Sequence, residues 1–179
     1  MKNKVTMKEE TPEEDKKALL EFCFNQGEKN ITFHLECADI LAKASNNTLV
    51  FIIIFGGATL LGLVNFLADE RYDIVTGLGA MLLYFFILAF LLLKQCLEAR
   101  PIAPPANDPL NLFKIQIDLN RLREDQIMRD ELEGLDSRIQ YNAKRNAETG
   151  KWLNRVKYMI FFSPFIFMGG YWVAKYFCD

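Results

Sequence analysis

Two long apolar runs, separated by five mostly charged residues, dominate the hydropathy pattern of this chain. Residues 49–68 and 74–93 each form a run of twenty residues without a charged side chain. A helix rises about 1.5 Å per residue, so each run predicts a helix of about 30 Å, the thickness of a bilayer's hydrocarbon core. The rest of a 179-residue chain is too short to cover two such helices on all sides. The pattern therefore predicts a transmembrane hairpin rather than a buried hairpin in a soluble protein.

A third apolar block covers residues 158–174, seventeen uncharged residues between Lys157 and Lys175. This length is at the lower limit for a membrane-spanning helix. Tryptophan and tyrosine residues at both ends are typical of the aromatic belts at membrane interfaces. Pro164, together with the pair at residues 169–170 (Gly-Gly), predicts a kink or a re-entrant irregularity. We expect a third span, with a re-entrant segment as the alternative.

The amino-terminal 48 residues are polar apart from one apolar stripe. Residues 11–14 (Thr-Pro-Glu-Glu) form a helix-start pattern, with a capping hydroxyl, a proline in the first turn and a capping-box acid. The pattern predicts a helix over residues 12–44, weakened at Gly27 and ending before residues 45–48 (Ser-Asn-Asn-Thr). Acids outnumber lysines here, so we expect the stripe to meet another protein helix rather than a membrane surface. The stripe consists of Leu20, Phe24, Ile31, Leu35 and Ala38.

Four prolines between residues 101 and 109 mark the clearest boundary in the chain. Repeated proline stops a helix and gives a semi-rigid extended spacer. The predicted fold class is all-α: a polytopic helical membrane protein with a two-span hairpin, a third span and long cytoplasmic amphipathic or coiled-coil helices. Its predicted parts are an amino-terminal tail and helix (1–48), the hairpin (49–93), a proline-rich linker (94–109), a cytoplasmic helical region (110–157) and a third span with a short external tail (158–179).

A regular four-three spacing links the carboxy-terminal helical region to the third block. It is typical of the a/d seam of a coiled coil or bundle helix. We predict an oligomer interface whose three polar residues, Asn142, Asn146 and Thr149, form a central layer. The interface consists of Leu132, Leu135, Ile139, Asn142, Asn146, Thr149 and Leu153. Three arrangements fit that layer: a dry layer that fixes register, a hydrated vestibule leading to the membrane, or a helix break near Gly150 that leaves the asparagines in water.

Small residues within the hairpin predict close approach of helices. In membranes such residues let two backbones come together, and the candidates are Gly56, Ala58, Gly62, Gly77 and Ala80. The alternative is that glycine is merely tolerated in membrane helices.

Basic residues before the third block predict the orientation in the membrane. Residues 138–157 contain six basic residues and a single acid, Glu148. The hairpin turn contains only one basic residue, Arg71. The positive-inside rule then places the amino terminus in the cytoplasm, and the turn and carboxy terminus outside a bacterial inner membrane. Lipid and topology explain this charge more simply than nucleic acid does. The six are Arg138, Lys144, Arg145, Lys151, Arg155 and Lys157.

The sequence lacks the motifs of common catalytic sites. It contains no GxxxxGK[ST], GxGxxG, HExxH or GxSxG pattern. A single histidine, His34, leaves little scope for zinc ligation. The predicted spans hold no charged residue, which argues against an ion or proton pump. We predict neither an enzyme nor a bound cofactor or metal.

The layout of a cytoplasmic helix, a two-span hairpin and a long cytoplasmic helix resembles the SLATT-type two-span effectors of bacterial antiphage and nucleotide-signalling systems. The resemblance covers residues 12–150 and lies in the layout; the proline-rich linker and the third block depart from it. It implies a homo-oligomer that opens the membrane. From the spans, the cytoplasmic helices and the position of the basic residues, we expect the lipid bilayer and a cytoplasmic protein as partners and no nucleic acid. The alternatives are a non-conducting immunity, exclusion or assembly factor, and a scaffold that recruits cytoplasmic proteins.

Overall fold

The computed structural model describes residues 13–98, 102–104 and 124–178. Every regular element within these residues is helical, which confirms the predicted helical class. The elements are α1 (Glu13–Ala68), α2 (Tyr72–Leu92) with a π-helical turn (Leu93–Leu97), α3 (Glu124–Phe161) and α4 (Ser163–Cys178). The predicted helical region after the linker begins at residue 110. Its first part, residues 110–123, lies outside the described residues.

Two helical segments are long and apolar enough to cross a membrane, Lys17–Ala68 and Tyr72–Leu97. A third candidate is the pair α3 and α4, which meet at an angle of 44°. The predicted kink is therefore present. Pro164 has no N–H to donate into the preceding turn, and the chain instead makes a tight turn in which the Phe162 N–H donates to the Met159 carbonyl at 2.9 Å.

Helix α1 passes through residues 45–48 without a break, so the predicted end of the amino-terminal helix at residue 44 is wrong. The Ser45 hydroxyl donates to the Leu41 carbonyl and the Thr48 hydroxyl to the Ala44 carbonyl, each at 2.8 Å. Hydroxyls that bond back within their own helix do not cap its end. The polar cluster thus lies inside a continuous helix of 56 residues.

The chain forms two compact units. The first combines Met1–Leu35 with Ile102–Ala143. Among its described residues, Gly27 of α1 lies against Leu135 of α3, and a β-carbon placed at Gly27 would overlap the Leu135 side chain. Ile31, one turn further along α1, is 1% exposed. The apolar stripe of α1 therefore meets a helix of the same chain, and Gly27 is the point of closest approach.

The second unit combines Glu36–Pro101 with Lys144–Asp179. Its described residues form a three-helix bundle from α1, α2 and the α3–α4 pair. Within this unit Leu41 lies near Gly150, and residues 44–51 share a groove with Lys157, so α1 and α3 run in the same direction. The buried core consists of Ile52, Phe85, Leu88, Leu92, Leu153 and Val156.

Helix α2 runs antiparallel to the α3–α4 pair along its whole length. The Tyr84 hydroxyl donates to the Met159 carbonyl at 2.9 Å, close to the bend. Beyond the bend, a β-carbon at Gly170 would lie 3.0 Å from both the Gly77 α-carbon and the Ala80 β-carbon. The backbones of α2 and α4 therefore approach as closely as small residues allow.

Replacing Gly170 with valine should separate α2 from α4. The new side chain would meet backbone atoms that cannot move aside, and overpacking of this kind costs about 1–3 kcal/mol. We expect a lower midpoint of thermal unfolding in detergent. Gly169→Val is the matched control, because nothing lies within 4 Å of a β-carbon placed there. Equal midpoints for the two variants would contradict the observed packing.

Candidate functional site

An apolar groove lies between α1 and α2 in the second unit. It has a volume of about 350 Å³ and opens to the outside of the chain. Gly57 lines the groove, and nothing lies within 4 Å of a β-carbon placed there, so the groove has room for a larger side chain. We call it the Gly57 groove; its lining includes Ile53, Gly56, Leu60, Leu82, Phe86 and Ala89.

The small residues predicted for helix packing separate into two groups. Gly77 and Ala80 lie at the close contact with α4, beside Gly170. In α1, a β-carbon at Gly56 would lie 3.9 Å from Phe85, and one at Gly62 would lie 3.5 Å from Leu78, both ordinary contacts. Ala58 is exposed. Gly77 and Ala80 therefore lie where helices come close. The spacing of the small residues did not distinguish this tight contact from the open groove at Gly57.

Most apolar side chains of the first candidate span are uncovered by the chain. In the 18-residue stretch that is most apolar, only 11% is buried inside the chain. The corresponding share for the second candidate span is 17%. Ile53, Leu61 and Phe86 are each more than half exposed. Exposing such surface to water costs about 25 cal/mol per Å². These helices therefore require a non-aqueous surrounding or further helices to cover them.

The candidate spans offer little polar surface of their own. The Thr59 hydroxyl donates to the Phe55 carbonyl and the Thr76 hydroxyl to the Tyr72 carbonyl, each at 2.8 Å. Asn65 is exposed, but it lies one turn from the end of α1, where its backbone carbonyl accepts from the Asp69 N–H. A single copy therefore shows no continuous polar path across the described spans.

The central polar residue of the predicted seam has a partner within its own chain. Asn142 is 2% exposed, and its side-chain amide bonds twice to Ala103 of the linker. Nδ2 donates to the Ala103 carbonyl and Oδ1 accepts from the Ala103 N–H, both at 3.1 Å. We call this pair of bonds the Asn142–Ala103 clasp. Helix α3 also continues through Gly150, so the predicted alternative of a helix break there is wrong.

The remaining seam residues lie on the covered face of α3. Leu135 is buried in the first unit against α1, and Leu153 is buried in the core of the second. Leu132, Ile139, Asn146 and Thr149 are partly buried. An interface with a second copy along this seam stays a prediction, and one chain already covers the face that would form it.

The six basic residues have different surroundings. Arg138 forms an ion pair with Glu131 at 2.6 Å and donates to the Gly134 carbonyl, and both of these partners belong to the first unit. In the second unit the Arg155 guanidinium lies 4.9 Å from the centre of the Trp152 ring. Lys157 lines a second groove, and Arg145 is partly buried. Lys144 and Lys151 are exposed.

Among the residues the structure describes, no group of three histidine, cysteine, aspartate or glutamate side chains is placed to hold a metal ion. Comparisons with protein-family models, curated proteins and solved structures find no match. Function is therefore inferred from the two grooves, the clasp and the distribution of charge.

Replacing Asn142 with leucine should release the linker from α3. The variant removes both bonds, and because Ala103 is only partly buried, we expect a loss of about 1 kcal/mol for each bond. We expect at least tenfold faster hydrogen exchange at the Ala103 amide. Gln140→Leu is the control, because Gln140 is exposed and bonds only to Asp136 in its own helix. Unchanged exchange in Asn142→Leu would contradict the clasp.

Proposed function

We propose that this protein is a bacterial inner-membrane protein whose copies associate through α1 and α2 and perturb the bilayer. The observation that carries the proposal is the uncovered apolar surface of these helices around the Gly57 groove. A glycine in a membrane helix lets another helix approach closely, and an open groove beside it provides the shape complementarity that association requires. The described spans of a single copy form no polar path, so permeation through them requires several copies.

The proposed topology has three spans with the amino terminus inside. The polar-to-apolar boundary falls after Thr48 in α1 and after Lys157 in α3, and both residues line one groove. The antiparallel register of α2 and α4 supports a full third span, because α4 continues eight residues past Gly170, about 12 Å. Five of the six basic residues belong to the second unit and lie just before the boundary at Lys157. This position supports a cytoplasmic location for the part of α3 that precedes the third span.

We further propose that the cytoplasmic helices control the membrane helices through the linker. The linker is the covalent continuation of α2, and the clasp attaches it to Asn142 of α3. A ligand or protein that displaced Ala103 would free the cytoplasmic end of α2. The resemblance in layout to SLATT-type effectors supports a role in defence or stress response.

A non-conducting membrane protein that binds a protein partner is the second candidate function. The outward faces of α1 beyond residue 48 and of α2 favour it, because nearly all of the exposed side chains there are apolar. A water-filled pore needs a wettable surface, whereas an immunity, exclusion or assembly factor needs only a face that fits its partner. The two functions differ in whether the purified assembly makes liposomes leak.

Filling the Gly57 groove tests the proposed assembly. Gly57→Leu places a large side chain where the fold itself has room, so the monomer should remain folded while association is blocked. We expect a smaller particle by light scattering in detergent and at least a tenfold loss of dye leakage from liposomes. Gly169→Leu is the matched control, because Gly169 is equally open but lies on α4.

Each outcome of this experiment bears on one function. A wild-type oligomer that causes leakage, lost in Gly57→Leu and kept in Gly169→Leu, supports a perturbing assembly. A stable wild-type particle that never permeabilises liposomes supports the non-conducting alternative. A wild-type monomer would refute self-association through this groove.

A further inference from the structure

A second groove lies between α1 and α3 within the second unit. It has a volume of about 430 Å³, is open on one side and is lined by Ala44, Asn47, Thr48, Phe51, Lys157 and Ile160. We call it the Lys157 groove. It differs from the Gly57 groove in carrying a cationic and an amide side chain beside apolar ones.

The polar and apolar side chains that line the Lys157 groove follow the hydropathy of the two helices. Asn47 comes just before the apolar run of α1, and Lys157 comes just before the third apolar block. Phe51 and Ile160 lie about one turn further along the same two helices, inside the apolar segments. The groove therefore crosses the polar-to-apolar boundary of both helices at the same level.

The charge of this groove is unbalanced. No acidic residue lines it. Within the described part of the chain, the Lys157 ammonium takes part in no ion pair or hydrogen bond. An ammonium and an amide N–H₂ at the mouth of an apolar groove match a phosphate attached to a hydrocarbon chain.

We propose that the Lys157 groove binds an anionic phospholipid of the phosphatidylglycerol class from the cytoplasmic leaflet. The headgroup phosphate lies between Lys157 and Asn47, and an acyl chain lies over Phe51 and Ile160. The proposal rests on the membrane topology proposed above and is independent of pore formation. A free phosphate ion would leave the apolar half of the groove unused.

Lipid selectivity of the full-length protein tests this site. Spin-labelled phosphatidylglycerol and phosphatidylcholine are compared in vesicles that contain the wild type, Lys157→Gln or Lys151→Gln. The two substitutions remove the same charge from the same helix, but only Lys157 lines the groove. We expect the wild type to prefer phosphatidylglycerol and Lys157→Gln to reduce that preference about fivefold, the loss of one hydrogen bond to the headgroup phosphate, whereas Lys151→Gln should leave most of it. Lys157→Arg should keep most of it.

Three results would overturn the proposal. Equal losses in Lys157→Gln and Lys151→Gln would indicate general attraction to anionic lipid rather than a site. No preference in the wild type would show that the groove does not select the headgroup. Displacement of the labelled lipid by millimolar glycerol phosphate would assign the site to a soluble phosphate. Selectivity that persists in a protein that never causes leakage would leave this site intact while refuting the pore.

Discussion

A helix of twenty uncharged residues satisfies its own backbone hydrogen bonds but presents side chains that water solvates poorly. This chain contains two such runs and covers only a small share of either. Covering them is the constraint on which its other features depend. The α3–α4 pair covers part of this surface. In the proposed arrangement, hydrocarbon covers the outside and a helix of a second copy fills the Gly57 groove.

The proposed membrane segment and the cytoplasmic helices belong to the same long elements. Helix α1 begins in one compact unit and ends in the other, as does α3. Within the first unit the Asn142–Ala103 clasp places a buried amide against the linker that follows α2. This is the contact through which the proposed control of the membrane helices would act.

The helical hairpin and the bend at Pro164 could be predicted from sequence. The length of an uncharged run and the missing N–H of a proline affect only the residues around them, so neither depends on distant parts of the chain. The end of the first helix could not, because serine and threonine either cap a helix or bond back within it. Periodicity showed which face of α3 is covered, but not by what. The partner of Asn142 lies 39 residues away in the linker, where no spacing rule identifies it. The Gly57 groove was missed for a related reason: a glycine permits close approach without saying whether a neighbour is present.

Topology mapping tests the central claim, that three segments of this chain lie in the membrane with the amino terminus inside. Single cysteines are placed in a cysteine-free variant at residue 46, at residue 70 in the turn between α1 and α2, and at residue 179, and are labelled in intact cells with a membrane-impermeant maleimide. The account predicts labelling at residues 70 and 179 and protection at residue 46. Protection at residue 179 with labelling at residue 70 would contradict the third span, and recovery of the native protein in the soluble fraction would contradict the account as a whole.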